Sequence, residues 1–353
     1  MTERKKIIIL GPVVTSSYFG GVATFDEGLA KALFNLGCDV VLATTQKDVI
    51  ECSQELQIEQ VNRRKFKKIV ESFQPDYIIS ELGYAKYFVL NRCTAKKIYY
   101  LHAFFKQSYY GVLKSKLAVW YQKLLIKNSD AVISNSHFTA MINREFYGIN
   151  SDAVCEVGLK DEFCEKVSQY KNIQREKNSI FFAARLVPAK GAELVINAAK
   201  VLTQLEQPYH LYIAGDGPEK ERLVNMVNRF NLSITFLGRL EQEQMVEQYL
   251  RSDVFISLDR SEPYGIVFLE ALVAGCKIVC PVTGGQMEIL IDYKDYVSYV
   301  NVNDSYSIAI GLRDALKSNL CPNLTDNEKK AFSYSTTAEK LLRIFYEMEG
   351  NGN

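Results

Sequence analysis

The chain has 353 residues, too many for one ordinary core and enough for two domains of roughly 150 residues each. With 48% hydrophobic and 24% charged residues it has globular composition, which excludes disordered and collagen-like classes. Forty-two Lys and Arg against 41 Asp and Glu leave a formal charge of +1, so no global field draws the chain onto nucleic acid. No apolar run approaches the ~20 residues of a membrane-spanning helix.

The basic start and the apolar run through Val14 imitate a secretory leader. The run is short and broken at Gly11 and Pro12, and no small-residue cleavage pattern follows, so a buried first strand is the reading adopted. Eight cysteines form no Cys-x-x-Cys pair, and His102, His137 and His210 lack metal-ligand spacing. Reduced thiols in a cytoplasmic enzyme fit this pattern.

Short apolar strands alternating with amphipathic stretches predict parallel sheets with crossover helices. A strand is predicted at Lys6–Leu10 and a helix over 21–36, with Val22, Phe25, Leu29, Leu33 and Leu36 on one stripe. Strands follow at 40–44, 76–80, 97–101, 130–134 and 153–157, with helices at 112–127 and 136–147 between the later ones. Periodicity disappears in the polar run 169–178, the predicted linker. Alternation then restarts, with strands at 179–184, 209–214, 234–237, 254–258 and Lys277–Cys280, and helices at 192–205, 219–230, 242–250 and 265–274. The expected architecture is α/β: two Rossmann-like doubly wound domains, 1–170 and 178–332, facing a central cleft. A closing helix is expected at about 333–353, where Leu341, Leu342, Ile344 and Phe345 form an apolar stripe.

Ligands of such sheets bind beyond the carboxyl ends of the strands. Three constellations lie there. Gly20 and Gly21 open the first long helix, where a bare backbone and free amides could meet an anion; a flexible turn is the plainer reading. Arg185 and Lys190, at a strand end and a helix start, could grip a polyanion from two sides or simply pair with surface carboxylates in salt bridges. In the run Ser261, Glu262, Pro263, Tyr264, Gly265, Ile266, the backbone near Gly265 can approach phosphate oxygens. Glu270 lies two turns after Glu262 in an otherwise apolar helix, where an ionised carboxylate is costly unless paired. A structural salt bridge or a pair of sugar hydroxyls would satisfy it.

Arg185-x4-Lys190-Gly191, Gly215-Asp216-Gly217-Pro218, Phe236 to Leu240 and Glu262-x7-Glu270, in this order and spacing, resemble glycosyltransferase family 4. Its members are retaining, nucleotide-sugar-dependent hexosyltransferase-type enzymes of the GT-B fold. The resemblance is nearly continuous from Ser179 to about Leu290; in the first half it rests on Gly20, Gly21, His102 and residues 133–138.

The resemblance implies specific roles. Arg185 and Lys190 would neutralise the donor diphosphate, with backbone amides of Gly265 and Ile266 beside them and Tyr264 also at the donor. Glu270 would take the nucleotide ribose and the main chain at Leu240 the base. Glu262 would sit by the transferred sugar and His102 by the reacting carbon, with Gly20 and Gly21 facing phosphates and acceptor. The closing helix would cross back to the first domain. The donor would be a UDP-sugar or related nucleotide sugar, the acceptor a glycan or lipid-linked glycan in bacterial surface polysaccharide or glycoconjugate synthesis, and no cofactor or metal is expected. Two departures stand out: Val157 to Asp161 replace the usual Pro-Asn-Gly-Val-Asp, and Leu258-Asp259 replace Pro-Ser.

Alternatives on the same architecture are an epimerase or phosphorylase, and a non-catalytic sugar-nucleotide-binding subunit; acceptor-dependent nucleotide release separates them. One feature lies outside the family motifs. Residues 82–129 carry nine basic residues, no acidic one and eleven aromatics, and a second basic run occupies 63–68. Either the aromatics are core and the lysines a solvated face, or this lobe docks peripherally on the anionic inner face of the cell membrane.

Overall fold

The computed structural model describes residues 4–14, 21–47, 56–90, 93–105, 111–170 and 172–350. Gly20 lies outside them. The chain divides into two compact units, 1–158 with 333–353, and 159–332.

In chain order the first unit contains β1 (Lys6–Leu10), α1 (Gly21–Asn35), β2 (Asp39–Thr44), β3 (Gln57–Gln60), α2 (Arg63–Phe73), β4 (Tyr77–Ser80), α3 (Lys86–Leu90), β5 (Lys96–Leu101), α4 (Val112–Ile126), β6 (Ala131–Ser134), α5 (His137–Tyr147) and β7 (Ala153–Val154). The second contains α6 (Asp161–Gln169), β8 (Ser179–Ala183), α7 (Ala192–Gln204), β9 (His210–Ala214), α8 (Lys220–Phe230), β10 (Ile234–Gly238), α9 (Gln242–Arg251), β11 (Val254–Ile256), α10 (Ile266–Val273), β12 (Lys277–Cys280), α11 (Met287–Leu290), β13 (Val297–Tyr299), α12 (Ser305–Lys317) and α13 (Asp326–Ala331). The last helix, α14 (Tyr334–Gly350), returns to the first unit.

Both sheets are parallel, with orders β3-β2-β1-β4-β5-β6-β7 and β10-β9-β8-β11-β12-β13. Strand order therefore reverses at β1/β4 in one unit and at β8/β11 in the other, the crevices where doubly wound sheets take ligands. Helices cover both faces of such a sheet, so its central strands are apolar throughout. Ile7, Ile8, Ile9 and Leu10 of β1, and Val254, Phe255 and Ile256 of β11, are buried to within 1%.

The boundary falls at Gly158, earlier than the polar run 169–178. Helix α6 buries Phe163 and Val167 and packs on α9 and α10, so it belongs to the second unit. The strand expected over 153–157 shrinks to the two residues of β7. Several elements escape a periodicity reading because they bury little. β3 is the polar edge strand Gln-Ile-Glu-Gln, and the basic helix α2 buries only Phe66 and Val70 under an Asn62 cap.

Helix α14 packs on α1, where Phe25 meets the Tyr334 ring at 6.1 Å. A side chain at Gly28 would overlap that ring, so glycine permits the approach. Further along, Phe345 stacks on Tyr77 at 3.9 Å, and Glu349 accepts hydrogen bonds from the Tyr77 hydroxyl (2.6 Å) and Lys5 (2.8 Å).

Candidate active site

In the second unit the loop leaving β8 is welded to the end of β9. Leu186 N donates to the Asp216 carbonyl at 2.9 Å, and Gly215 N to the Gly238 carbonyl at 2.7 Å. Cβ atoms at Gly215 or Gly217 would strike the carbonyls of Ala184 and Leu186. The Gly-Asp-Gly motif thus acts as a backing for the segment that carries Arg185. That arginine is exposed at the carboxyl edge of β8, and no side-chain hydrogen bond or ion pair holds it among the described residues. It is a free cation.

Lys190 is differently placed. Its ammonium lies 2.8 Å from Glu262 Oε2 and 3.0 Å from Asp259 Oδ2, across the β8/β11 switch point. Burial alone would lower its pKa; the Glu262 and Asp259 carboxylates outweigh that and hold it above its ordinary value. Asp259 is 4% exposed and also accepts from the Ser261 amide at 3.0 Å. Without ligand the lysine is thus shared by two carboxylates, with a third N–H left to offer.

Helix α10 starts at Ile266, one residue after the start expected from the sequence. Its N-cap, Gly265, has φ +93°, and a Cβ there would sit 2.6 Å from the Phe268 ring. No side chain caps this helix, so the Ile266 and Val267 amides stay open at its positive end. Tyr264 is buried, and Leu240 is half-buried just beyond β10.

Glu270, two turns into α10, is half-buried. The Tyr249 hydroxyl donates to its Oε2 at 2.8 Å. Burial pushes its carboxyl up to about 7, against the opposing pull of the Tyr249 hydrogen bond and Lys160. The other oxygen has no hydrogen bond to protein among the described residues. Among the described residues no salt bridge neutralises this carboxylate, so a structural ion pair does not account for it.

The first unit has its own cluster at its switch point. His102, directly after β5, contacts Glu81, directly after β4; Asp26 of α1 completes the group. Asp26 and Glu81 are 1% and 2% exposed, and Asp26 Oδ2 and Glu81 Oε1 are buried without a partner. Desolvation raises both carboxyls well above the ordinary range, and for Asp26 the Glu81 charge adds to it. Burial depresses His102 to about 4, although the Asp26 charge pulls it upward. The three donor atoms lie within 4.8 Å of one another, so these residues could hold a divalent ion. Gly21 begins α1 as the sequence indicates; a Cβ there would meet nothing within 4 Å, so packing does not demand glycine.

Sequence reasoning missed four partners. Asp259 was legible only as a departure from a motif, and Tyr249 only as a core aromatic. Asp26 and Glu81 carried no spacing signal to His102. Gly284-Gly285, a pair in the loop after β12, was readable in principle. Gly285 N donates to the Glu262 carbonyl at 2.7 Å, and a Cβ there would collide with Pro263.

The second sheet thus carries an exposed arginine, open helix amides and a buried carboxylate beyond its carboxyl edge, and two doubly wound units of this kind are the GT-B architecture of glycosyltransferases. Residues 165–333 match the family described as Glycosyl transferases group 1, and residues 19–157 match Glycosyltransferase Family 4. The chain belongs to glycosyltransferase family 4 and is a glycosyltransferase.

An uncharacterized glycosyltransferase of Methanocaldococcus jannaschii is 23% identical, covering 96% of this chain and 98% of that protein. Among solved structures, a glycosyltransferase from Rickettsia africae superposes with TM-score 0.76 at 18% identity, covering 99% of each chain. The Anabaena protein HepE in complex with UDP and glucose gives TM-score 0.71 at 16% identity, covering 98% of this chain and 100% of that one.

Proposed function

We propose that this enzyme moves a sugar from a UDP-sugar to a glycan or lipid-linked glycan acceptor, retaining the α configuration, in bacterial surface polysaccharide or glycoconjugate synthesis. The observation that carries the donor half is the grouping of Arg185, the third N–H of Lys190, the open Ile266 and Val267 amides and the free oxygen of Glu270 along one sheet edge. The bound UDP and glucose of the similar Anabaena protein support the choice of donor.

As the sugar–phosphate bond lengthens, negative charge grows on the diphosphate, where preorganised cations and amides stabilise it most. Arg185 and the α10 amides take that charge. The Lys190 ammonium serves twice, toward phosphate and as the clamp that fixes Glu262 beside the sugar. Glu270 accepts the ribose hydroxyls, the Leu240 main chain meets the base, and Tyr264 with Gly265 shapes the turn between them. His102, neutral at physiological pH, and Gly20 and Gly21 serve the acceptor and the reacting carbon. With these groups on the diphosphate, the proposed reaction uses no metal and no cofactor. The leaving phosphate accepts the acceptor proton on the same face of the sugar, which yields retention.

No helix among the described residues is long and apolar enough to cross a membrane. A cytoplasmic enzyme peripheral to the inner face of the membrane is the placement proposed. The test is a screen of UDP-sugars against glycan and lipid-linked acceptors, with the product's anomeric configuration read by NMR. An α-linked product from an α-linked donor supports the reading. A β-linked product, or release of free sugar phosphate without acceptor, contradicts it.

A further inference from the structure

Helix α4 is built inside out. The face it turns to the first unit's core buries Ser115, Gln122 and Leu125. Ser115 Oγ and Gln122 Oε1 are buried there without partners, and Gln122 Nε2 reaches the Tyr99 hydroxyl at 3.3 Å. The opposite face carries Leu113, Leu117, Trp120 and Leu124, at the i, i+4, i+7, i+11 spacing of one helical stripe. These four are 82%, 64%, 61% and 45% exposed, with Val112 and Tyr121 beside them at 57% and 41%. Folding alone would exchange the two faces.

Among the described residues the other aromatics of the basic segment do not share this exposure; Tyr109 and Tyr110 lie outside those residues. Tyr87, Phe88, Tyr99 and Tyr100 are core, each at most 6% exposed. The plain reading therefore holds for them, and the unexplained surface narrows to α4.

Charge selects the occupant. Lys114, Lys116, Lys123 and Lys127 are all exposed around the stripe, and residues 111–129 contain no acid. A second copy of the chain placed stripe to stripe would oppose lysines to lysines. An anionic lipid leaflet meets the same lysines with headgroups and the leucines with acyl chains, and Trp120 suits the boundary between them.

We propose that α4 is a membrane-docking helix that lies in the plane of an anionic lipid leaflet, with Leu113, Leu117, Trp120 and Leu124 inserted and the four lysines on the headgroups. This rests on the part of the functional reading that gives the enzyme a lipid-linked acceptor.

Trp120 is the only tryptophan of the chain, so its emission reports docking without any substitution. Full-length protein is mixed with phosphatidylglycerol/phosphatidylcholine vesicles and, separately, with phosphatidylcholine alone. The expected result is a blue shift and protection from a soluble quencher with the anionic vesicles only, weakened by salt. The variant with Lys114, Lys116, Lys123 and Lys127 all changed to Gln should bind the anionic vesicles at least a hundredfold more weakly, at about fivefold per lysine. Leu117→Ser with Trp120→Ser should lose co-flotation while still binding UDP by calorimetry. UDP binding thus separates failure of docking from failure of the donor site. Unchanged Trp120 emission with both vesicle types overturns the proposal, as does a stripe-dependent dimer in sedimentation.

Discussion

Replacing Glu270 with glutamine separates what this residue withdraws from the fold from what it gives a ligand. Its carboxyl moves from the ordinary 4.5 to about 7 on folding, through burial. Below pH 4.5 the acid is neutral in both states. As pH rises from 4.5 to 7 the unfolded chain ionises first, so stability falls across that window and stays lower above it. At about 1.4 kcal/mol per pH unit, the loss is about 3 kcal/mol. Glu270→Gln keeps an acceptor for Tyr249 and cannot ionise. Thermal melts should therefore show the variant gaining about 6–10 °C on wild type between pH 5 and pH 8, at about 2–4 °C per kcal/mol. UDP should bind the same variant roughly 10–100-fold more weakly, because a hydrogen bond to a charged group contributes about 1.5–3 kcal/mol. Wild-type affinity for UDP should itself rise from pH 6 to pH 8. A stability gap independent of pH would refute the raised carboxyl, and unchanged UDP affinity would refute the ribose assignment.

The remaining predictions contrast residues that the same motif groups together. Arg185→Ala should leave the melting temperature unchanged and reduce turnover by roughly 10²–10³; wild-type turnover would remove it from the diphosphate. Lys190→Ala should lose turnover and also about 2 kcal/mol of stability by denaturant titration. Breaking a buried pair costs more, but this lysine is 31% exposed. Gly265→Ala, forced to φ +93° with its Cβ against Phe268, should be destabilised by at least about 1–2 kcal/mol and bind UDP poorly. An unchanged melt would mean the turn tolerates a side chain. Phe345→Ala should destabilise the protein by about 3 kcal/mol through the lost stack on Tyr77, and deleting 333–353 should cost more. A melt unchanged by the deletion would make α14 a dispensable tail.

The sequence shows strongest where burial is total. β1, β8 and β12 are continuous apolar runs bounded by turn residues, and they read directly as strands of parallel sheets. Polar elements that bury one or two side chains, such as β3 and α2, carry no such period. Their places are set by pairing with β2 and by a single cap. The domain boundary was misplaced for a related reason: a polar run looks like a linker, yet α6 before it is committed to the second unit by Phe163 and Val167.

At the candidate donor site the charged residues were legible from their order and spacing along the chain, in the loops after β8 and β11 and in the helix α10 that follows β11. Their partners were not. Asp259 meets Lys190 only once β8 and β11 lie side by side, and Tyr249 reaches Glu270 from a helix 21 residues upstream. For helix α4 the sequence left two readings open, core aromatics or a docking face, because its apolar residues lie on two faces. Burial separates them only in the structure, where Leu125 is buried and Leu113, Leu117, Trp120 and Leu124 are exposed.

The central claim is that the carboxyl edge of the second sheet binds a nucleoside diphosphate. Calorimetry of UDP with wild type, Arg185→Ala and Glu270→Ala tests it most directly. The account predicts one site in the wild type and at least about tenfold weaker binding in each variant, near 1.4 kcal/mol or more. Equal affinity in all three proteins would contradict it.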